Sequence, residues 1–281
     1  MSKNISKESK EQMVEYYKSR PMGYQELSDK FGYSLPTIGK IMREYKVKPY
    51  SKVKLFSPNL NEHYFQSIDT EEKAYFLGLI ITDGCVYSKN DRQNLVSLTL
   101  QDKDKYIIEK FKESIQSNKT VTSDGRGSSS INILSNIMVE DLRQYGVVDN
   151  KSLCTIFPNN IPNHLYKHLI RGILDGDGSI AFYARPNRKC HVKAIRFCQG
   201  NKQFLLDLVD YLHNEVDVKP VNAYAEKGTL WSISYCSTDS LYKLYHYLYD
   251  DATIYLTRKK ELCDKILSEI NYYHGNTEIT A

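Results

Sequence analysis

The sequence lacks the features that would anchor it in a membrane or cross-link it. No apolar run in its 281 residues approaches the roughly 20 residues needed to span a bilayer. The opening MSKNISKESKEQ has no apolar core of the kind a secretory signal carries. Cys85, Cys154, Cys190, Cys198, Cys236 and Cys263 are scattered, with no C-x-x-C pair among them. In so long a chain that spacing excludes a disulfide framework or a cysteine zinc site and leaves buried, reduced thiols in a cytoplasmic protein. A surplus of charge is missing too. Beyond residue 55 there are 26 Lys/Arg against 28 Asp/Glu, which gives no global attraction to a polyanion.

What is present is an ordinary globular composition, 41% hydrophobic and 26% charged, with tyrosine unusually frequent at 23 residues. That length supports two or three domains with real cores. Residues 1–55 are different, with 12 Lys/Arg against 6 Asp/Glu, so the first segment is the basic one. KESKEQMVEYYK (7–18) and YQELSDKF (24–31) read as helices, followed by the tight turn GYS and a third helix in LPTIGKIMREYKV. Ser34 suits the N-cap of that helix and Pro36 its first turn. Leu35, Ile38, Ile41, Met42 and Tyr45 form its inward face, with Thr37, Lys40, Arg43 and Glu44 outside. Two helices joined by a short glycine turn, the second basic on its outer face, match a helix-turn-helix, and Thr37, Lys40 and Arg43 are its candidate DNA contacts. The alternative is a small helical bundle for protein contact. The segment KPYSKVKLFSPNLNEH then reads as a linker.

The remainder is an internal repeat. AYFLGLIITDGCVY (74–87) and HLIRGILDGDGSIAFY (168–183) each hold an apolar helix, a central glycine, a terminal Asp-Gly and a strand. Each is followed by a strand and helix (NLVSLTLQDKDKYIIEKFKESI; KAIRFCQGNKQFLLDLVDYLHNEV), then a hairpin, then a helix (NIMVEDLRQYG; TDSLYKLYHYLYD). The hairpins turn at Gly125–Gly127 and at Lys227-Gly228. The fold class is therefore α+β, two pseudo-symmetric αββαββα halves behind a small all-α domain. The expected boundaries are 1–50, a linker 51–70, halves at 71–150 and 163–270 with a connector 151–162, and a tail 271–281.

Gly78 and Gly172 occupy equivalent helix positions, and a helix interior loses about 1 kcal/mol for glycine over alanine. Close helix–helix approach would explain both. If the two helices pack together, Asp83 and Asp177 meet at one end of the pair, where each also faces its own helix's negative terminus. Two such carboxylates repel unless protonated or bridged by a cation, and hard oxygen donors suit Mg²⁺.

FLGLIITDG (76–84) and IRGILDGDG (170–178) resemble the paired signature helices of LAGLIDADG homing endonucleases. The resemblance covers roughly residues 71–265. It implies a single-chain monomeric enzyme whose two four-stranded saddles straddle double-stranded DNA and cut both strands across the minor groove. It also implies Mg²⁺ as cofactor, with Mn²⁺ or Ca²⁺ able to enter the same sites and Ca²⁺ not supporting cleavage. On the family's pattern Asp83 and Asp177 are the metal-binding carboxylates. The earlier acidic position holds Asp175 in the second motif but Ile81 in the first.

Around them the resemblance implies polar and basic helpers. Gln101 ends a strand on the same face as Ser97 and Thr99. Its counterpart is Gln199, although Ile195 and Phe197 share that residue's phase, so either a bulge intervenes or Gln199 is not equivalent. Lys151 and Lys259 fill the basic role, with Arg258 or Lys260 able to replace the latter. Tyr87, Lys89, Ser97 and Thr99 in the first half, and Arg185, Arg188, Lys189 and Arg196 in the second, are the candidates for reading DNA. A regulator that binds DNA without cutting it and an intron RNA maturase are the alternatives on this scaffold. The intact Asp83 and Asp177 favour the enzyme. Absence of flanking splicing segments argues against an intein origin. If a mobile element or phage encodes the chain, its compartment is the host cytoplasm.

Overall fold

The computed structural model describes residues 5–19, 22–50, 59–89, 93–148, 154–186, 190–226 and 228–278. The chain divides into two compact units, Met1–Asn61 with Ile115–Lys119, and Glu62–Ser114 with Thr120–Ala281. Among the described residues no helix is long and apolar enough to cross a membrane. All six cysteines are free, but only Cys263 is buried; Cys85, Cys154, Cys190 and Cys236 are exposed, against the expectation of buried thiols.

The first unit holds α1 (Lys7–Ser19), α2 (Tyr24–Phe31) and α3 (Leu35–Glu44). Met13, Val14, Tyr17, Met22, Leu27, Ile38, Ile41 and Met42 form its core. Gly32 ends α2 in the left-handed region at φ 73°, which closes the turn into α3. Leu35 departs from the expected inward face and is 44% exposed. It is the first residue of α3, so its side chain overhangs the end of the core that Ile38, Ile41 and Met42 fill. Lys10 pairs with Glu44 at 2.9 Å, tying α1 to the end of α3.

The second unit carries the repeat. Its first half runs α4 (Glu71–Thr82), β1 (Gly84–Lys89), β2 (Gln93–Gln101), α5 (Lys105–Ser114), β3 (Thr122–Ser123), β4 (Ser128–Leu134) and α6 (Asn136–Arg143). Its second runs α7 (Tyr166–Gly176), β5 (Ser179–Tyr183), β6 (Val192–Gln199), α8 (Lys202–Val216), β7 (Tyr224–Ala225), β8 (Trp231–Tyr235) and α9 (Thr238–Tyr249). A final helix, α10 (Thr257–Glu278), continues through most of the stretch expected to be a tail. The two antiparallel sheets have matching orders, β1-β2-β4-β3 and β5-β6-β8-β7.

Alternation along β2 decides which face of the first sheet is covered. Val96, Leu98 and Leu100 are buried with Ile131 and Ile133 of β4, while Thr99 and Gln101 are exposed. α5 and α6 cover the apolar side. α4 has no polar face, and Ala74 to Ile81 are all buried, as expected for a helix enclosed on every side. α7 is its partner across the middle of the unit.

Candidate active site

The centre of the second unit is a backbone contact. A methyl group on Gly78 would lie 2.3 Å from the carbonyl oxygen of Leu169, and one on Gly172 would lie 2.2 Å from that of Tyr75. Both are well inside van der Waals distance, so only glycine fits at either position. This close approach brings the C-terminal ends of α4 and α7 side by side. A Cβ on Gly176 would collide with Thr82 and stand 3.4 Å from Asp83 Oδ2.

Asp83 and Asp177 are the C-caps of the two helices and have nearly the same backbone conformation, φ −86°, ψ −6° and φ −83°, ψ −5°. Asp83 is half-buried and Asp177 exposed. A carboxylate at a helix C-terminus meets the negative end of the macrodipole, an unfavourable contact worth about 0.3–1 kcal/mol. Two of them on adjacent helices compound that cost. Among the described residues no cluster of three or more His, Cys, Asp or Glu could hold a metal ion.

One compensating charge is in place. Lys259, near the start of α10, is 4% exposed. Its Nζ donates to the carbonyls of Leu174 (2.6 Å), Asp175 (2.7 Å), Gly178 (2.6 Å) and Gly176 (3.2 Å). These are the orphan carbonyls that close α7 and lead through Asp177. Burial lowers the ammonium's pKa to about 8, with Arg258 adding to the fall and Asp175, Asp83 and Asp177 opposing it. It is therefore still charged at neutral pH. Of its neighbours, Arg258 is held by Asp104 at 2.9 Å and Lys260 by Asp264 at 2.8 Å. Only Lys259 addresses the motif.

Asp175 takes a different part from Asp177. It is buried, and its Oδ2 accepts from Tyr75 Oη (2.8 Å) on α4 and from Leu256 N–H (2.7 Å), while its Oδ1 has no partner. Burial raises its pKa to about 6, opposed by the Leu256 N–H, Lys259, Tyr75 and Arg171. The repeat places Ile81 where Asp175 stands and Leu169 where Tyr75 stands. One polar link therefore replaces an apolar pair across the two helices, and Asp175 is an internal tie.

A second tie, which no motif announces, joins α7 to the start of α4. Arg171, fully buried, donates to Glu71 Oε1 (2.5 Å), Ile254 O (2.8 Å) and Leu248 O (2.7 Å) and lies 2.9 Å from His168 Nδ1. Glu71 also accepts from the Thr253 N–H and hydroxyl, each at 2.8 Å. Tyr106 Oη of α5 accepts from Thr257 N–H at 2.7 Å. The stretch from Thr253 to Lys259 thus bonds to both halves, from Glu71 at the start of α4 to the carbonyls that close α7. Its signal in the sequence is the charge itself, Arg171 and His168 on a helix whose other central residues, Leu169, Ile170, Ile173 and Leu174, are apolar.

Gln101 lies at the end of β2, exposed on the uncovered side and opposite Ser128. Gln199 does not join it. β6 runs without a bulge, with Ile195 opposite Tyr235 through Gln199 opposite Trp231. Gln199 therefore keeps the buried phase of Ile195 and Phe197, is 5% exposed, and accepts from the Gly200 N–H at 2.7 Å. The pairings Cys85 with Ser97 and Ser179 with Arg196 set the repeat's true register. They make Thr99 equivalent to Cys198, Leu100 to Gln199, and Gln101 to Gly200.

The uncovered face of the first sheet is rich in short polar side chains, with Ser97, Thr99, Ser130, Asn132 and Thr122 on it and Tyr87 52% exposed. On the second sheet Arg196 is exposed and reaches Glu226 Oε1 at 3.4 Å, which also accepts from Ser232 Oγ at 2.7 Å. Arg185 is exposed just beyond β5. In the first unit Lys40 and Arg43 are exposed, while Thr37 is half-buried with its hydroxyl 2.9 Å from Ser34 Oγ. Lys151, Arg188 and Lys189 lie outside the described residues, and Lys89 is described only as a backbone position in β1.

No protein-family model and no curated protein matches the chain. Solved structures do. The chain is similar to the LAGLIDADG meganuclease I-AabMI bound to uncleaved DNA, with a TM-score of 0.54 at 13% identity over 74% of this chain and 93% of that one. It is similar to the LAGLIDADG homing endonuclease I-GzeII in complex with its DNA target, with a TM-score of 0.54 at 13% identity over 75% and 92%. I-SmaMI, bound to uncleaved DNA target in the presence of calcium ions, gives 0.52 at 13% identity over 74% and 94%. Paired glycine-apposed helices, twin β1-β2-β4-β3 sheets and three such likenesses agree: this chain has the LAGLIDADG homing endonuclease fold, with both halves in one polypeptide.

Proposed function

We propose that the protein is a site-specific endonuclease that cuts both strands of double-stranded DNA with a divalent cation, Mg²⁺ by preference. The observation that carries this is the matched pair Asp83 and Asp177, two C-cap carboxylates held together by the contact of Gly78 with Gly172. Nothing in packing requires acids there, and the helix termini oppose them. They are the donors a hard cation takes. Among the described residues no third such donor joins the two carboxylates, a sparse oxygen set that suits Mg²⁺ rather than an all-protein cage. When bound, the cation stabilises the entering and leaving oxygens of an in-line displacement at phosphorus. Mn²⁺ would fill the same site, and Ca²⁺ would fill it without cleavage.

The chain's own groups do the rest. Asp83 and Asp177 hold the cation, and Gln101 at the end of β2 orients water beside it. The two uncovered sheet faces contact the duplex, with Ser97, Thr99 and Tyr87 on the first and Arg185 and Arg196 on the second. The first unit adds contacts through Lys40 and Arg43. The retained acids favour cleavage over simple DNA binding, because a scaffold used only to bind gains nothing from two unfavourably placed carboxylates.

The test is cleavage of a randomised library of long duplexes with Mg²⁺. One sequence should be cut on both strands, and Asp83→Asn or Asp177→Asn should abolish cutting while leaving target binding in Ca²⁺ unchanged. Tight sequence-specific binding with no cut in Mg²⁺ or Mn²⁺ would replace the nuclease reading with that of a regulator.

A further inference from the structure

Lys259 occupies the basic position that resemblance gives to the chemistry, yet its geometry leaves it nothing to give a substrate. An ammonium has three N–H donors. Here three carbonyls, of Leu174, Asp175 and Gly178, accept at 2.6–2.7 Å, and that of Gly176 stands at 3.2 Å. The side chain is 4% exposed. To reach a phosphate, Nζ would have to abandon a helix terminus whose carbonyls have no other donors within the helix.

We infer that Lys259 is a positioning residue, which holds the backbone turn carrying Asp177 and supplies the positive charge that lets an acid sit at the end of α7. Carbonyls on both sides of Asp177 converge on one buried ammonium, so the φ and ψ of that aspartate are fixed from a neighbouring helix. α10 is itself anchored on the first half, by Arg258 to Asp104 at 2.9 Å and by Thr257 N–H to Tyr106 Oη at 2.7 Å. The clamp therefore sets Asp177 in the frame of the opposite half, where Asp83 stands. It needs a compact cation with freely rotating donors, which an ammonium is and a planar guanidinium is not.

This role rests on the endonuclease reading, and the experiment separates the two. Full-length Lys259→Met, with Lys259→Gln as the milder variant should the first not fold, is compared with wild type in two measurements. Hydrogen exchange of the peptide spanning residues 172–180 reads the turn without DNA. Cleavage of a duplex labelled differently on each strand reads the consequence. The clamp predicts exchange at least tenfold faster in that peptide, and one strand slowed at least tenfold more than the other, so that nicked duplex accumulates. Lys259→Gln, which keeps a neutral donor, should fall between. Slower cleavage with unchanged exchange would overturn the inference and return Lys259 to the phosphate. Faster exchange with both strands cut at the wild-type rate, or slowed equally, would overturn it in favour of a purely structural cap. An inert wild type would count against the nuclease reading alone, and unchanged exchange in the variants would still overturn the clamp.

Discussion

Gly78 and Gly172 face one another so closely that a Cβ on the first would lie 2.9 Å from the Cα of the second. The obstacle on each side is backbone, which cannot rotate away as a side chain can. Gly172→Ala should therefore cost more than the usual 1–3 kcal/mol of an overpacked core, and it should push Asp83 and Asp177 apart. Gly39 is the control. It lies inside α3 with nothing within 4 Å of its missing Cβ, so Gly39→Ala should stabilise the first unit by about 0.5–1 kcal/mol. Urea denaturation of the two variants should show opposite signs.

Most of this architecture was legible before the structure, because it is written in period and repetition. The alternation Val96, Leu98, Leu100 against Ser97, Thr99, Gln101 fixes a half-covered strand, and two copies of a glycine-centred apolar helix fix the pair. What was not legible depends on register and on long-range partners. Gln199 looks like the mate of Gln101 by identity, but a one-residue difference in phase moves a strand residue to the other face. Lys259 looks like a surface lysine near an active site. Its burial follows from a helix end 81 to 85 residues earlier, which no local pattern announces. Asp175 stands at the family's earlier acidic position, and no local pattern announces Tyr75, a hundred residues away with its hydroxyl on it.

Arg171 joins α7 to Glu71 and to two backbone carbonyls while fully buried. Arg171→Met would leave Glu71 with a carboxylate in place and its cation gone, along with the orphaned carbonyls of Leu248 and Ile254. Removing one partner of such a pair costs about 3–5 kcal/mol. The repeat has Leu77 at the equivalent place, so the helix tolerates an apolar residue there. Adding Glu71→Leu to Arg171→Met should therefore recover part of the loss, and a double-mutant cycle on denaturation midpoints would measure it. Losses that simply add would mean the two groups are not coupled.

His168 and Asp175 should pull stability in opposite directions as pH changes. Burial, then Arg171, lower the His168 pKa from 6.5 to about 4, with Glu71 and Asp251 opposing and Lys167 assisting. The folded state therefore refuses a proton that the unfolded chain accepts, and this contribution is present above pH 6.5 and lost as pH falls toward 4. Burial raises Asp175 from 3.8 to about 6, so its contribution is present below pH 3.8 and lost as pH rises through 6. Each amounts to about 1–3 kcal/mol over the window. Relative to wild type, His168→Gln should make stability fall more steeply with rising pH between 4 and 6. Asp175→Asn should make it rise. Urea midpoints at half-unit pH intervals would show whether the slopes part in these directions.

The DNA contacts proposed for the first unit can be tested apart from cleavage through its charges. Lys40 and Arg43 project from the outer face of α3, exposed, while Ile38, Ile41 and Met42 hold the helix to its core. Replacing either by glutamine removes one positive charge without touching that core. If each neutralises a phosphate, the slope of log affinity against log salt should shrink by about one per substitution, and the weakening should be alike for all sequences. The position of the cut should stay where Asp83 and Asp177 place it. A specificity change confined to a few base pairs would instead mean that α3 reads base edges in the major groove. An unaltered salt slope would show that this basic face meets something other than DNA, and the charge of residues 1–55 would then need a different partner.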